Sequence, residues 1–282
     1  MLPGGTLQDR VAVITGGGTG LGFKMAEVFG LLGAKLVLAS RSRDHLEPAV
    51  ARLAALGIAA MAQATDVTDA HQVRALARAT VERYGRADIL VNNAAGNFIR
   101  PAEALPEAAF KKVIDIVLNG SFYASRSFGK LMLERRTGVI LNILATYAWT
   151  GGPGTIHSAC AKAGVLAMTR TLAVEWARRG VRVVGLAPGP LATEGASARL
   201  WPSAELEDRV RGDIPLGRFA TLQEVADAAA WLVSDHAAYV TGEVLTMDGG
   251  GWLGRGVLGH GGEAEIPVVK RRRDRQGSGE DG

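Results

Sequence analysis

The sequence has little of what marks a secreted or membrane protein. Its 282 residues include a single cysteine, Cys160, which excludes an intramolecular disulfide framework and fits a reducing compartment. No apolar run approaches the ~20 residues that span a bilayer. Residues 1–5 lack the charged start of a secretory signal. We therefore expect a soluble, cytoplasmic protein without a membrane partner, in which Cys160 packs as a small apolar residue.

Charge is also scarce over most of the chain. The formal net charge is +4, and the basic run at residues 270–275 supplies much of it. Without that run the chain is close to neutral, so its charge gives no case for nucleic acid. We predict no nucleic-acid partner and no metal site.

Short apolar runs alternate with longer amphipathic segments, which indicates strands linked by helices. Strands are predicted at residues 11–15, 35–39, 58–64, 88–92, 138–144, 181–186 and 243–247. Helices are predicted at residues 21–32, 44–56, 69–84, within 106–136, and at 158–179 and 221–234. This alternation predicts an α/β fold with about seven parallel strands and helices on both faces. We expect one domain over residues 1–254. A flexible tail follows at 255–282, of which residues 265–270 are a possible docking segment on a neighbouring subunit.

A glycine-rich turn follows the first strand and opens the first helix, at residues 15–22. Glycines there permit a tight turn and let the backbone approach a pyrophosphate at the helix N-terminus. The alternative is a loop that needs glycine only for its backbone angles. Its place at a strand–helix junction favours a dinucleotide site in a Rossmann-type, doubly wound sheet. The candidate cofactor residues are Gly16, Gly18, Thr19, Gly20, Leu21 and Gly22.

The end of the second strand lacks the acidic residue that an NAD site places there to hold the ribose hydroxyls. The chain has Ser40, Arg41, Ser42 and Arg43 instead. An arginine fork beside a hydroxyl suits a 2′-phosphate. Arg41 therefore favours NADP(H), and the alternative is a solvated basic loop.

From residue 7 to 252 the chain resembles the short-chain dehydrogenase/reductase family. The resemblance rests on the glycine-rich turn, Asp66-Val67, residues 92–96, Asn119, residues 188–190 and residues 248–250. It implies an NADP(H) site completed by Asp66, Val67, Asn93, Ala94, Lys162, Pro188, Gly189, Pro190 and Leu191. It also implies a homotetramer, with the helices near residues 110–136 and 158–179 packing between subunits.

One tyrosine is missing where that family places its acid. Most members read Tyr-x-x-x-Lys, but Ser158 precedes Lys162 here and Tyr147 lies eleven residues upstream of Ser158. A serine hydroxyl has too high a pKa to replace a phenol as acid. We interpret the adjacent His157 as a helix-start or surface residue.

Tyr147 followed by Ser158-x-x-x-Lys162 resembles the 2,4-dienoyl-CoA reductases of that family, as do residues 92–99 and 115–120. The resemblance implies that Tyr147 and Asn119 hydrogen-bond the thioester oxygen, and that Ser158 supports the lysine or nicotinamide. Arg199 and Phe98 would contact the acyl-CoA substrate. A conjugated dienoyl thioester takes hydride four carbons from its carbonyl, so the donors to its oxygen must be displaced as well. A relocated tyrosine fits this chemistry.

Other interpretations stay open. The alternatives are a reductase for a trans-2-enoyl-CoA or another carbonyl substrate, and a protein that binds NADP as a sensor without catalysis. Tyr147 would then be a cleft-lining side chain. We expect Tyr123 to pack, and Trp149 and Trp201 either to line an acyl pocket or simply to be buried. The sequence does not give the acyl chain length or the geometry of the product's double bond.

Overall fold

The computed structural model describes residues 2–191 and 203–253. Its strands are β1 (Val11–Thr15), β2 (Lys35–Ser40), β3 (Ala60–Ala64), β4 (Ile89–Asn92), β5 (Gly138–Ile143), β6 (Val181–Pro188) and β7 (Val244–Met247). They form one parallel sheet in the order β3-β2-β1-β4-β5-β6-β7. The predicted doubly wound α/β fold is confirmed. The strand order reverses beside β1, where folds of this class hold ligands beyond the strand ends.

The helices cover both faces of the sheet. In the described ranges they are α1 (Gly20–Leu31), α2 (Arg43–Ala55), α3 (Ala70–Tyr84), α4 (Glu107–Ile114), α5 (Gly120–Arg135), α6 (Tyr147–Thr150), α7 (Ile156–Trp176), α8 (Ala204–Gly212) and α9 (Leu222–Val233). A π-helical turn, Asp115–Asn119, joins α4 to α5. The single turn α6 and the polar helix α8 were not predicted, because neither has a long apolar period.

Two apolar layers fix the helices to the sheet. On one face Phe29 of α1 and Leu53 of α2 are fully buried with alternate side chains of the strands. On the other face Leu76 of α3 and Phe128 of α5 are fully buried against the opposite side chains. Strands buried on both faces are mostly apolar, as β1 is from Val11 to Ile14.

Local sequence signals start and stop several helices. Asp69 caps α3 by accepting from the backbone N–H groups of His71 and Gln72, and Gly85 ends that helix in the left-handed region at φ 73°. Thr221 and Glu224 form a reciprocal capping box at the start of α9. Within the described ranges no helix is long and apolar enough to cross a bilayer. The predicted tail, residues 255–282, lies outside the described residues.

Candidate active site

A cleft opens beyond the carboxyl ends of β1, β2 and β4, at the point where the strand order reverses. Its volume is about 270 Å³, close to the lower end of the volumes of small-molecule pockets, roughly 300 Å³, and it suits part of a dinucleotide. Gly16, Thr19, Arg41, Asp66, Val67, Asn93 and Ala94 line it, with Ser40, Ala95 and Ile116 among their neighbours. The structure therefore brings seven of the sixteen predicted cofactor residues together in this cleft.

The glycine-rich turn leaves room only for hydrogen at its closest approach. A Cβ on Gly22 would lie 2.1 Å from the backbone oxygen of Gly16, and Gly16 itself has φ +63°. Thr19 caps α1 without a side-chain hydrogen bond, so the first N–H groups of α1 remain available. A free helix N-terminus behind a glycine turn suits a pyrophosphate, so the residues present fit a dinucleotide.

The turn is held to the end of β4 by side chains. The Thr15 hydroxyl accepts from the backbone N–H groups of Asn93 and Ala94, each at 3.0 Å. The Asn93 amide donates to the carbonyl oxygens of Thr15 and Gly16, at 3.0 and 3.2 Å. Asn93 therefore braces the cradle in addition to lining it.

Arg41 lies at the rim of the cleft with an exposed side chain. Ser42, the next residue in the sequence, caps α2 and forms hydrogen bonds with Asp44. The Asp66 carboxylate is held in place by Thr68. One of its oxygens accepts from the backbone N–H and the hydroxyl of Thr68, at 2.9 and 2.8 Å. The cleft thus presents an uncompensated arginine at one wall and an oriented carboxylate at another.

The displaced tyrosine meets the serine that stands in its usual place. Tyr147 begins α6, Ser158 lies in the first turn of α7, and their hydroxyl oxygens are 2.9 Å apart. Burial raises the pKa of the Tyr147 phenol, and the hydrogen bond to Ser158 opposes that rise. The phenol therefore stays protonated at neutral pH and can donate a hydrogen bond.

Lys162 lies one helical turn after Ser158, so both side chains share one face of α7. It is fully buried, and its ammonium donates to the carbonyl oxygen of Ile143 at the end of β5. Burial lowers the pKa of Lys162 to about 8. Among the described residues no carboxylate pairs with the Lys162 ammonium. A polar ligand group placed beside Lys162 would therefore favour its charged form.

The amide beside Tyr147 belongs to Asn97, a residue that we did not single out from the sequence. Its Nδ2 points at the Tyr147 phenol oxygen from 3.5 Å, while its Oδ1 accepts from the Phe98 backbone N–H. Asn119 is engaged elsewhere, since its amide donates to Asp115 at 2.8 Å. Asn97 follows the Asn-Asn-Ala-Ala-Gly run, and that adjacency was the signal that could have identified it.

Of two expectations about α7, one holds in part and one is wrong. His157 begins the helix as predicted, but it is fully buried and its ring stacks on Phe98 with centroids 4.2 Å apart. Burial lowers the pKa of His157, and a weaker interaction with the Phe98 backbone acts in the opposite direction. Cys160 is exposed rather than packed, because the face of α7 that meets the core carries residues 157, 158, 161 and 162.

A chain of buried polar side chains underlies the site and was also missed. The Asn92 amide donates to Ser125 and Asn142, and the Asn142 amide donates to Thr169, all within 2.9 Å. These residues tie β4, β5, α5 and α7 together behind Tyr147 and Lys162. These hydrogen bonds hold the four elements in a fixed geometry, although the buried Oδ1 of Asn92 accepts no hydrogen bond from a described residue.

The remaining predicted site residues divide by position. Pro188 ends β6, the N–H of Gly189 donates to the carbonyl oxygen of Met247, and Leu191 forms a bridge with Ala220. This loop, with Pro190, therefore leaves the sheet at the carboxyl end of β6 and is not among the residues that line the cleft. Arg199 and Trp201 lie outside the described residues. Trp149 is half-buried near Trp252, with ring centroids 6.0 Å apart. Tyr123, a residue of α5, packs as expected, half-buried against the core.

Comparison with known proteins reveals close relatives over most of the chain. Residues 16–251 match the family model described as enoyl-(acyl carrier protein) reductase. A probable 2,4-dienoyl-CoA reductase [(2E)-enoyl-CoA-producing] of Bacillus subtilis is 41% identical over 88% of this chain and 98% of its own length. The peroxisomal 2,4-dienoyl-CoA reductase [(3E)-enoyl-CoA-producing] of Pongo abelii is 44% identical over 88% of this chain and 85% of its own.

Solved structures agree with these relatives. A short chain dehydrogenase from Bacillus anthracis is 44% identical with a TM-score of 0.77, covering 86% of this chain and 96% of its own. A putative NAD(P) dependent gluconate 5-dehydrogenase from Beutenbergia cavernae, with bound NADP at low occupancy, is 35% identical with a TM-score of 0.84. That match covers 89% of this chain and 99% of the other.

Proposed function

Since the chain belongs to the short-chain dehydrogenase/reductase family and is a short-chain reductase, we propose that it reduces 2,4-dienoyl-CoA with NADPH. The observation that carries this proposal is the displaced phenol, Tyr147, hydrogen-bonded to Ser158 at 2.9 Å. Tyr147 lies on α6, whereas the family usually places its tyrosine at the position of Ser158 on α7. A donor displaced in this way suits a substrate whose oxygen lies far from the carbon that is reduced.

The cofactor is a nicotinamide dinucleotide, and we infer that it is NADPH. Arg41 lines the cleft and forms no ion pair with a described residue, which suits the charge of a 2′-phosphate. The amide-braced glycine turn and the N-terminus of α1 would hold the pyrophosphate. Asp66 and Val67 would hold the adenine, and Lys162 the nicotinamide ribose.

The residues of the chain then have distinct tasks. When bound, NADPH would supply the hydride for the distal carbon of the diene. Negative charge accumulates on the thioester oxygen, where Tyr147 donates its hydroxyl hydrogen bond in a buried setting. One proton from solvent at the α-carbon completes the reduction and gives a 3-enoyl-CoA. Ser158 holds the phenol in place throughout.

A second donor to the same oxygen would stabilise the developing negative charge further. Asn97 points its amide at the position of the Tyr147 hydroxyl, which supports it as this donor. Our sequence-based assignment of that role to Asn119 stays a prediction. The amide nitrogen of Asn119 carries two N–H donors, of which one binds Asp115, so the second would serve in this role.

Several predicted properties belong to the proposal as well. Phe98 would line the acyl pocket while stacked on His157, and Arg199 would contact the CoA portion. We retain the homotetramer, supported by Phe122 on α5 and Val174 on α7, which leave 46% and 82% of their side chains exposed. We also retain a cytoplasmic location and the single catalytic domain at residues 1–254.

Reduction of a simple trans-2-enoyl thioester is the second candidate. The family model that the chain matches is described by that chemistry. The two named relatives differ in the product their names state, a (2E)- and a (3E)-enoyl-CoA. A sensor without catalysis is less well supported, because the phenol, the serine and the lysine are all present.

A panel of thioesters tests the proposal directly. We expect the purified enzyme to oxidise NADPH with 2,4-hexadienoyl-CoA and to do so far more slowly with crotonyl-CoA. NADH in the same assays serves as the cofactor control, and the product's double bond is placed by mass spectrometry or NMR. Turnover of crotonyl-CoA without turnover of the dienoyl thioester would replace the proposal by the second candidate.

A further inference from the structure

The segment that follows β4 lies against the start of α7 and is tied to its surroundings at two places. At one end the amide of Asn97 points at the hydroxyl of Tyr147. At the other end the backbone N–H of Arg100 donates to the carbonyl oxygen of Gly154, in the turn before α7, at 2.8 Å. A third contact, made by the side chain of Phe98, lies between these two ties.

That third contact is the stack of the Phe98 ring on the His157 imidazole. The two ring planes are 18° apart and their centroids lie 4.2 Å from each other, so the flat faces meet. His157 is fully buried, whereas Phe98 is half-buried. The imidazole is therefore out of reach of solvent and of a substrate in the cleft, and it can influence a reaction only through the residues that it packs against.

The polarity of the His157 ring is not used by any described residue. Both ring nitrogens are buried and neither lies in hydrogen-bond geometry with a described residue, and the Phe98 backbone interacts only weakly with the ring. Buried polar groups without partners destabilise a fold. The flat shape of the ring is therefore the property that this position uses.

The backbone of Phe98 connects this stack to Tyr147. The Phe98 N–H donates to Oδ1 of Asn97 at 3.0 Å, and Nδ2 of the same amide points at the Tyr147 hydroxyl. Both atoms belong to one amide group, so the bond that fixes Oδ1 also fixes Nδ2. Nδ2 lies 3.5 Å from the phenol oxygen, at the limit of a hydrogen bond, so a small displacement of Phe98 would break this contact.

We propose that His157 is a positioning residue, which holds Phe98 by stacking and thereby aims the Asn97 amide at the oxygen that Tyr147 binds. The inference rests on the proposed function in one respect, namely the role of Asn97 as second donor to that oxygen. It requires the flat ring of His157 and not its nitrogens. His157→Phe should therefore keep the function that His157→Ala loses.

The first test measures kcat with whichever thioester of the panel the wild type reduces. We expect His157→Ala to lower kcat roughly 10–100-fold, because a misplaced donor loses most of its effect, with NADPH affinity unchanged. His157→Phe should keep the wild-type kcat, and His157→Leu, which fills the space without a flat ring, should not. His71→Ala, at an exposed histidine of α3, is the matched control and should change neither quantity.

A double-mutant cycle separates positioning from a general loss of structure. If His157 acts through Asn97, His157→Ala should change kcat by less than about 2-fold in an Asn97→Ala background. A purely structural role would give the same factor in both backgrounds, and that result would overturn the proposal. Loss of turnover in a folded His157→Phe would overturn it as well, because the ring nitrogens would then be needed. Thermal unfolding identifies a variant that does not fold, and His157→Leu replaces His157→Ala in the cycle in that case.

A spectroscopic readout makes the test independent of the substrate. In the whole enzyme labelled with 3-fluorotyrosine, the fluorine resonance of Tyr147, assigned by its loss in Tyr147→Phe, reports the contacts of the phenol. The shift that Asn97→Ala causes should appear in His157→Ala and be absent from His157→Phe. An unshifted resonance in His157→Ala would remove the positioning role even if turnover fell. Failure of the wild type to reduce dienoyl thioesters, with this pattern of shifts intact, would remove the proposed function alone.

Discussion

The cofactor cradle and the catalytic cluster lie at the same edge of the sheet but are built in different ways. The cradle depends on backbone: Gly22 approaches the Gly16 oxygen so closely that a Cβ would lie 2.1 Å from it. The catalytic cluster depends on side chains from separate segments, with Tyr147, Ser158 and Asn97 meeting through hydroxyl and amide groups. Steric exclusion therefore shapes the first region, and hydrogen-bond geometry the second.

The largest expected effect comes from adding one methyl group to the cradle. Gly22→Ala should abolish measurable NADPH binding and destabilise the fold by about 1–3 kcal/mol, because the backbone must move to admit the Cβ. Fluorescence titration with NADPH and thermal unfolding measure the two effects. Gly212→Ala is the matched control, since a Cβ there meets nothing within 4 Å. Normal NADPH affinity in Gly22→Ala would remove the steric account of the cradle.

The catalytic cluster should respond in the opposite manner, through turnover alone. Tyr147→Phe keeps the ring but removes the hydroxyl, so we expect kcat with the dienoyl thioester to fall about 10²–10³-fold, with NADPH affinity unchanged. Steady-state kinetics and NADPH titration separate the two quantities. Tyr239→Phe, at a fully exposed tyrosine, should leave both unchanged. Unchanged kcat in Tyr147→Phe would exclude the phenol from the reaction.

The same contrast explains how much the sequence could predict. The cradle is contiguous at residues 15–22, and the parallel sheet that presents it follows from the alternation of strands and helices. Asn97 was missed because its amide reaches Tyr147 only after the segment following β4 folds across the start of α7. The burial of His157 has the same origin, since its partner Phe98 lies 59 positions earlier in the sequence. Neither contact leaves a local pattern.

Lys162 connects the two regions, and its titration should be visible in stability. Its folded pKa of about 8 lies below the ordinary 10.5, so below pH 8 the folded state carries the cost of a buried charge. Between pH 8 and 10.5 the folded protein loses this proton while the unfolded chain keeps it. Stability should therefore rise with pH across that window, by up to about 3 kcal/mol from this group.

Chemical denaturation of the cofactor-free protein from pH 7 to 10.5 measures this rise. The comparison is with Lys162→Met, which should be more stable at pH 7 and should lack the contribution of Lys162 to the slope. Lys112→Met, at an exposed lysine, should keep the wild-type slope. An identical pH dependence in Lys162→Met and the wild type would contradict burial as the cause of the lowered pKa.

The smallest expected effect concerns Arg41 at the rim of the cradle, where the cofactor would be contacted by a side chain instead of the backbone. Arg41→Ala should weaken NADPH binding about 10–100-fold, because a charge-assisted contact contributes roughly 1.5–3 kcal/mol. NADH binding should change little, since NADH has no 2′-phosphate. Arg43→Ala is the control, because Arg43 does not line the cleft that Arg41 lines. Equal weakening of NADPH and NADH in Arg41→Ala would mean that Arg41 supports the cleft without reading the phosphate. The preference for NADPH would then need another origin at this rim.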